Sequence, residues 1–322
     1  MKLIIQIPCY NEAATLAAAL RELPRKVDGF DSVEWLIIND GSTDATVEVA
    51  KANGVDHIIG FPRNKGLARG FMAGLEACLA LGADVIVNTD ADNQYCAADI
   101  PALVRPILEG RAEIVIGSRP IAEIRHFSPL KKLLQKLGSS VVRWVSRTDV
   151  EDAPSGFRAL SREAALRLNI YSDYTYTLES IIQAGRRGMA IVSVPVRVNR
   201  ELRPSRLVKS IPGYLKKSIL TILRIFVVYK PFAFFMSIGA AVFLVGFLLG
   251  LRFLYYLFTG GGAGHVQSLI LAAVLLGMGF QTILVAFLSD LLAVNRALLE
   301  DIQYRLRKNR IAKDRFSSGS RG

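Results

Sequence analysis

Asp90 and Asp92 stand one alanine apart in Asn88-Thr89-Asp90-Ala91-Asp92-Asn93-Gln94-Tyr95, directly after the apolar run Val85-Ile86-Val87. In a continuing strand that spacing sets both carboxylates on one face. Like charges so close raise one of the two pKa values unless something compensates, and a cation is the simplest compensation. Asp90, Asp92 and Gln94 offer hard oxygen donors, which suit Mg2+ or Mn2+ rather than a soft metal. Such an ion stays partly hydrated and completes its ligand set with substrate phosphates, so the carboxylates would hold a metal–diphosphate. A solvated acidic turn would read the same way from the octapeptide alone.

Three more polar clusters follow short apolar runs. Pro8-Cys9-Tyr10-Asn11-Glu12 places a ring that could stack on a planar ligand before a helix; a plain helix cap, with Asn11 as the cap and Glu12 favoured by the dipole, fits equally. In Asn39-Asp40-Gly41-Ser42-Thr43-Asp44, Asp40 could accept from a base N–H or a ribose hydroxyl, and residues 42–44 can cap the next helix. Phe61-Pro62-Arg63-Asn64-Lys65-Gly66-Leu67-Ala68-Arg69-Gly70 puts cations at a helix N-terminus, which suits an anion. Neither GxxxxGK[ST] nor a GxGxxG after a strand occurs, so ATPase and dinucleotide readings lose support. His57, His126 and His265 show no pairing that suggests catalysis, whereas Glu179 lies on a predicted helix and could support the site from behind.

The elements that must position these residues form an α/β pattern. Runs 2–7, 34–39, 57–60, 85–88 and 114–117 read as short β-branched strands, with helical patterns at 13–23, 43–52 and 65–81. Such alternation gives a mostly parallel central sheet with helices on both faces, and sites form at the carboxyl ends of its strands. The three cysteines, Cys9, Cys78 and Cys96, make no metal-ligand spacing and fit reduced thiols in a cytoplasmic compartment. The N-terminal apolar run is too short for the core of a signal peptide, so export of the first half is not expected.

The second half is different. Residues 231–251 and 266–289 carry no charge, and each run exceeds the roughly 20 residues that a helix needs to cross a bilayer. The linker 259–265 between them is rich in glycine and lacks Lys and Arg. Basic residues of the net +12 chain concentrate on either side, at 203–230 and from 296 onward. Anionic lipid explains that better than nucleic acid, because no aromatic residues interleave with the basic ones. The positive-inside rule then gives a hairpin with spans at about 231–256 and 266–290 and both ends cytoplasmic. Residues 207–229 alternate apolar and basic faces at helical spacing and read as an interfacial helix. The domains expected are a catalytic 1–206, this helix, a hairpin over 230–295 and a basic tail at 296–322, whose last seven residues read as disordered. Paired spans also leave room for packing between subunits.

These segments, in this order, resemble the family 2 glycosyltransferases, and within them the polyprenyl-phosphate glycosyltransferases, the group of dolichol-phosphate mannose synthase. The resemblance covers about residues 3–230 and implies a nucleotide-binding domain of the GT-A type. It implies nucleotide contacts for Pro8, Tyr10 and Glu12, and a nucleoside-reading carboxylate at Asp40, where Asn39 replaces the first Asp of many members. It implies metal binding by Asp90, Asp92 and Gln94, and an arginine between donor and acceptor phosphates at Arg119 of Gly117-Ser118-Arg119. Arg200, Ser205 and Arg206 match a basic loop over the diphosphate, although Arg200, Arg203 and Arg206 could instead be juxtamembrane lipid anchors. Lys131 and Lys132 stand near the positions of acceptor-phosphate arginines, and Asp152 with Ser155-Gly156-Phe157-Arg158 matches a block close to the acceptor.

The reaction so implied is inverting displacement at the anomeric carbon of a UDP- or GDP-sugar by a polyprenyl (dolichyl or undecaprenyl) phosphate, with Mg2+ or Mn2+. A lipid phosphate is already largely anionic near neutral pH, its second pKa being about 6, so it needs no strong general base. Two alternatives stay open. One is transfer to a glycolipid or polysaccharide hydroxyl, with Asp152 as base; the QxxRW motif of processive enzymes is missing, since Gln135 is not followed by it and no glutamine stands three residues before Arg143-Trp144. The other is a catalytically silent nucleotide-sugar-binding scaffold.

Overall fold

The protein is described by a computed structural model covering residues 1–120, 129–170, 176–199, 220, 223–259 and 266–319, with the backbone alone for 129–137 and 312–319. The strands are β1 (Lys2–Cys9), β2 (Ser32–Asn39), β3 (His57–Gly60), β4 (Val85–Asn88), β5 (Ile114–Ser118), β6 (Arg158–Ser161) and β7 (Ile191–Pro195). The helices are α1 (Ala13–Glu22), α2 (Thr46–Ala52), α3 (Leu67–Ala80), α4 (Ile100–Leu108), α5 (Pro129–Ser146), α6 (Arg162–Arg167), α7 (Thr177–Arg186), α8 (Pro231–Phe258) and α9 (Val266–Gly319). Chain contacts divide the molecule into two compact units, Met1–Leu215 with Ile302–Gly322, and Lys216–Asp301.

In the first unit the strands form one sheet in the order β3-β2-β1-β4-β6-β5-β7. The Ile-, Leu- and Val-rich β1 and β4 are buried on both faces, as central parallel strands must be. β1 pairs in parallel with β2 on one side and with β4 on the other, so the order reverses there, and open α/β sheets bind ligands at the carboxyl ends of strands at such a point. The β6 strand runs antiparallel to both β4 and β5, with Asn88 opposite Arg158. That reversal carries residues 155–157, which precede β6, to the same edge as the residues that follow β4.

Two helices start later than their apolar pattern predicts. α3 begins at Leu67 because the backbone amides of Lys65 and Gly66 donate to the Asp40 carboxylate, at 2.7 and 2.9 Å. α2 begins at Thr46 because Asp44 caps from outside, accepting from the Thr46 amide at 3.1 Å and from Ala13 at 3.1 Å.

The second unit is built on α8 and α9, which are both long and apolar enough to cross a membrane. Their mutual contact uses small residues seven apart: Gly239 and Gly246 on α8, Ala272, Gly279 and Ala286 on α9. A methyl group on Gly246 would lie 2.8 Å from the Leu276 nitrogen, and one on Gly279 would lie 2.6 Å from that of Phe243. Large apolar side chains such as Leu244, Leu248, Phe280 and Leu284 face outward. Close backbone packing with outward leucines suits a lipid environment, where helices gain nothing by hiding apolar surface from each other.

The helix α9 runs past the expected end of its span, and past residue 316, to Gly319. Residues 291–311 contain no Gly or Pro and are rich in helix-favouring Leu, Ala, Arg and Glu, with an Arg296–Glu300 pair at 3.0 Å. Its portion from Ile302 belongs to the first unit. There the Tyr304 hydroxyl donates to Glu163 at 2.7 Å, and Arg307 donates to the Leu168 carbonyl at 2.8 Å and to Glu76 at 3.0 Å. Of the expected interfacial helix, residues 223–229 are helical and most of the rest lies outside the described residues.

Candidate active site

The loop after β4 leaves the sheet at Asn88 and carries Asp90 and Asp92. The Asp90 carboxylate rests on the backbone of Gly156, where an added methyl group would meet its oxygens at 3.0 and 3.1 Å. A side chain at this position would force the carboxylate to give by a few tenths of an ångström. Burial, and next the charge of Asp92, push the Asp90 pKa up from 3.8 to about 7, against the pull of Arg119 and Arg158. Among the described residues no group of three His, Cys, Asp or Glu converges as a protein-only metal cage. Two repelling carboxylates with Gln94 nearby therefore fit a hard divalent cation that takes its other ligands from water and a diphosphate.

The raised pKa has a measurable sign. Without a cation the folded chain holds a proton on Asp90 that the unfolded chain releases near 3.8. Stability of the ion-free protein thus falls as pH rises from about 4 to about 7. A divalent cation held at Asp90 would compete with that proton, so Mn2+ is expected to raise the melting temperature more at about pH 8 than at about pH 5.5. Scanning calorimetry at matched ionic strength checks this; equal shifts at both pH values would exclude Asp90 as a ligand.

Tertiary bonds hold the loop in place. Asp92 accepts from the Gln94 amide at 3.1 Å, and the Gln94 carbonyl accepts from the Asn199 amide at 2.8 Å. Between them Asn93 takes a left-handed conformation, φ 56°, and its side chain donates to Glu22 at 2.9 Å; the other oxygen of Glu22 accepts from Asn199 at 3.0 Å. Tyr95 bridges to Val198, stacks on Phe157 at 5.1 Å, and its hydroxyl accepts from the Gly156 amide at 3.0 Å.

Beneath the loop lies a buried polar floor. Gln6 donates to Asn88 at 2.9 Å, and Asn88 donates at 2.9 Å both to the Gly156 carbonyl and to the Tyr176 hydroxyl. Tyr176 in turn stacks on Phe71 at 4.0 Å. The fully buried Arg158 donates to Ser180 at 2.5 Å, to the Thr177 carbonyl at 3.2 Å and to the Ser155 carbonyl.

Arg119, one residue beyond β5, grips Asp152 through two nitrogens, Nε at 2.7 Å and Nη2 at 3.0 Å. Asp152 is fully buried. Burial opposes the charge on Arg119, yet Tyr95, Asp152 and Asp90 outweigh it and keep the guanidinium firmly protonated. The guanidinium lies 5.8 Å from the Tyr95 ring centre, within cation–π range.

The loops after β1 and β2 are knitted together. Asn11, left-handed at φ 55°, does not cap α1; its side chain accepts from the Thr43 amide at 2.8 Å, while its own amide donates to Ser42 at 3.0 Å. Residue Glu12 is buried and close enough to add to the negative field at Asp90. Pro8 ends up inside β1, Tyr10 is exposed at 42%, and Asp40 spends one lone pair of each oxygen on the turn before α3. Glu179 is buried on α7 and accepts from Gln183 at 3.3 Å. Arg200, Ser205 and Arg206 lie outside the described residues, as do the side chains of Lys131 and Lys132.

Sequence reasoning missed Glu22, Asn88, Tyr95 and Tyr176 as parts of the site. For Asn88 a signal existed: an amide at the end of an apolar strand needs buried partners. The others act across the chain and left no local trace.

The family model described as Glycosyl transferase family 2 matches residues 4–167, from β1 to the end of α6. Undecaprenyl-phosphate mannosyltransferase of Micrococcus luteus is 27% identical over 224 residues, covering 66% of this chain and 90% of the relative. UDP-N-acetylglucosamine–dolichyl-phosphate N-acetylglucosaminyltransferase of Methanococcus voltae is 30% identical over 216 residues, covering 59% and 83%. Among solved structures, glucosyl-3-phosphoglycerate synthase from Mycobacterium tuberculosis in complex with Mn2+, UDP-glucose and phosphoglyceric acid aligns with a TM-score of 0.53 at 22% identity, over 69% of this chain and 79% of that one. That last likeness is one of fold. The family match takes in Asp90, Asp92, Arg119 and Asp152 and spans half of the sequence; the chain belongs to glycosyl transferase family 2.

Proposed function

We propose that this protein transfers a hexosyl group, with inversion, from a UDP- or GDP-sugar to the phosphate of a polyprenyl lipid at the cytoplasmic face of a membrane. The observation that carries the proposal is the pairing of Arg119 with the buried Asp152, beside a carboxylate loop fit for a metal–diphosphate. A hydroxyl acceptor would need a base, and Asp152, the candidate, has both carboxylate oxygens committed to the Arg119 guanidinium. A phosphate monoester brings its own anionic oxygen. Relatives named for undecaprenyl and dolichyl phosphates, and two helices long enough to span a bilayer, support the same acceptor. Basic residues at both ends of the hairpin support a cytoplasmic catalytic unit with both chain termini on that side.

In this mechanism a lipid phosphate oxygen forms a bond to the anomeric carbon as the bond to the diphosphate breaks, and the bonding electrons leave with the nucleoside diphosphate. Asp90, Asp92 and Gln94 would hold Mg2+ or Mn2+, which when bound would neutralise charge on the diphosphate. Tyr10, Pro8, Glu12 and Asp40 place the nucleoside. Arg119 uses the donors not spent on Asp152 to bring the acceptor phosphate beside the diphosphate, and the basic segment with Arg200, Ser205 and Arg206 adds further positive charge. Lys131 and Lys132 are assigned to the acceptor side. Two anions held in line make the reaction effectively unimolecular, and positive charge at the departing diphosphate adds to that.

The test uses the full chain in detergent with Mn2+, undecaprenyl phosphate and a panel of UDP- and GDP-sugars, with mass spectrometry of the lipid fraction. A glycosyl-phospholipid formed from one donor is the expected result. Nucleotide released only with a hydroxyl acceptor, or no turnover at all, overturns the proposal.

A further inference from the structure

Tyr95 touches both sides of the site at once. Its hydroxyl holds the Gly156 amide at 3.0 Å, and Gly156 is the surface on which the Asp90 carboxylate rests. One face of its ring stacks on Phe157 at 5.1 Å with planes 20° apart, and the Arg119 guanidinium lies 5.8 Å from the ring centre. Every member of the group is packed: Tyr95 is 4% exposed, Phe157 0%, Asp152 0% and the Arg119 side chain 9%. The backbone of Tyr95 belongs to the carboxylate loop and is bridged to Val198.

We infer that Tyr95 is a positioning residue that fixes the distance between the carboxylate loop and Arg119. The inference deepens the proposed function and rests on it for the identity of the two anions. In that reaction the loop determines where the donor diphosphate lies and Arg119 where the acceptor phosphate lies. A misplacement of about 1 Å between reacting atoms costs on the order of a hundredfold in rate. A stiff ring with only two rotatable bonds is suited to hold such a spacing. Asp152 fixes one end of Arg119; the ring limits the approach of its face toward the loop.

The test separates positioning from general packing. Tyr95→Phe keeps the ring and loses only the acceptor for Gly156; Tyr95→Leu removes the ring; Tyr95→Met fills the same space with a flexible chain if the leucine variant does not fold. Phenylglyoxal labelling of Arg119, read by peptide mass spectrometry, reports the guanidinium directly and needs no turnover. Expected are protection of Arg119 in wild type and in Tyr95→Phe, and labelling several times faster in Tyr95→Leu or Tyr95→Met. Sugar transfer should fall about a hundredfold in the ring-less variants while affinity for Mn2+ with UDP or GDP stays within about threefold. In an Arg119→Lys background the same ring deletion should add little further loss, because the residue it positions has already been replaced.

Unchanged Arg119 labelling in both ring-less variants overturns the inference, as does a loss of nucleotide affinity equal to the loss of rate, or losses that multiply in the double variant. Absence of sugar transfer by the wild type would overturn the proposed function instead, and the labelling would still decide the role of Tyr95.

Discussion

Replacing Asp92 with asparagine is expected to lower sugar transfer about a thousandfold, which corresponds to roughly 4 kcal/mol of lost transition-state stabilisation. The substitution is nearly isosteric, and an amide oxygen can still accept from the Gln94 N–H that Asp92 now binds. What disappears is one of two negative charges that attract the cation. The same loss relieves Asp90, whose pKa is raised in part by Asp92. Ion-free Asp92→Asn should therefore melt no lower than wild type at neutral pH, while its response to Mn2+ collapses. Parallel rate and calorimetric measurements check both halves. A variant that lost activity together with ion-free stability would show that Asp92 holds the loop rather than the ion.

Asp152→Asn is expected to cost about 3 kcal/mol in folding free energy, because breaking a buried ion pair from one side leaves the other charge unmatched. Arg119 and Asp152 now share two short bonds at 9% and 0% side-chain exposure, so solvent cannot replace the missing partner. Transfer should drop about a hundredfold as Arg119 loses its fixed orientation. The shape of the rate–pH profile decides between roles. An Asp152 that positions Arg119 leaves the profile unchanged in shape, whereas an Asp152 that removes a proton takes the acidic limb with it when replaced. Survival of that limb, measured together with a urea melt, is the expected outcome.

The sequence made the parallel half of the sheet readable because buried β-branched runs such as Val85–Asn88 carry their own signature, and two strands were predicted to the residue. The Asp90/Asp92 pair stood out as a candidate from the sequence, since both carboxylates lie within three adjacent positions. The antiparallel β6 was not: Arg158–Ser161 is four residues long and is a strand only because β4 and β5 flank it. Similarly, the late start of α3 depends on a carboxylate 25 residues upstream, and the partner of Arg119 lies 33 residues downstream. Local pattern reports what a residue prefers, and these positions are decided by what it meets. Gly156 illustrates the difference, being one glycine among 26 in the chain until the Asp90 oxygens are placed against it.

The chain leaves the catalytic unit before the hairpin and rejoins it at Ile302, where Tyr304 and Arg307 bind Glu163, Leu168 and Glu76. The polypeptide thus forms a closed circuit with one covalent arm and one made of side-chain contacts. Those contacts are worth about 1 kcal/mol apiece, so the second arm opens far more readily than either unit unfolds. When it opens, the covalent arm keeps the end of α9 at a high effective concentration, and reclosure outpaces any competitor in solution.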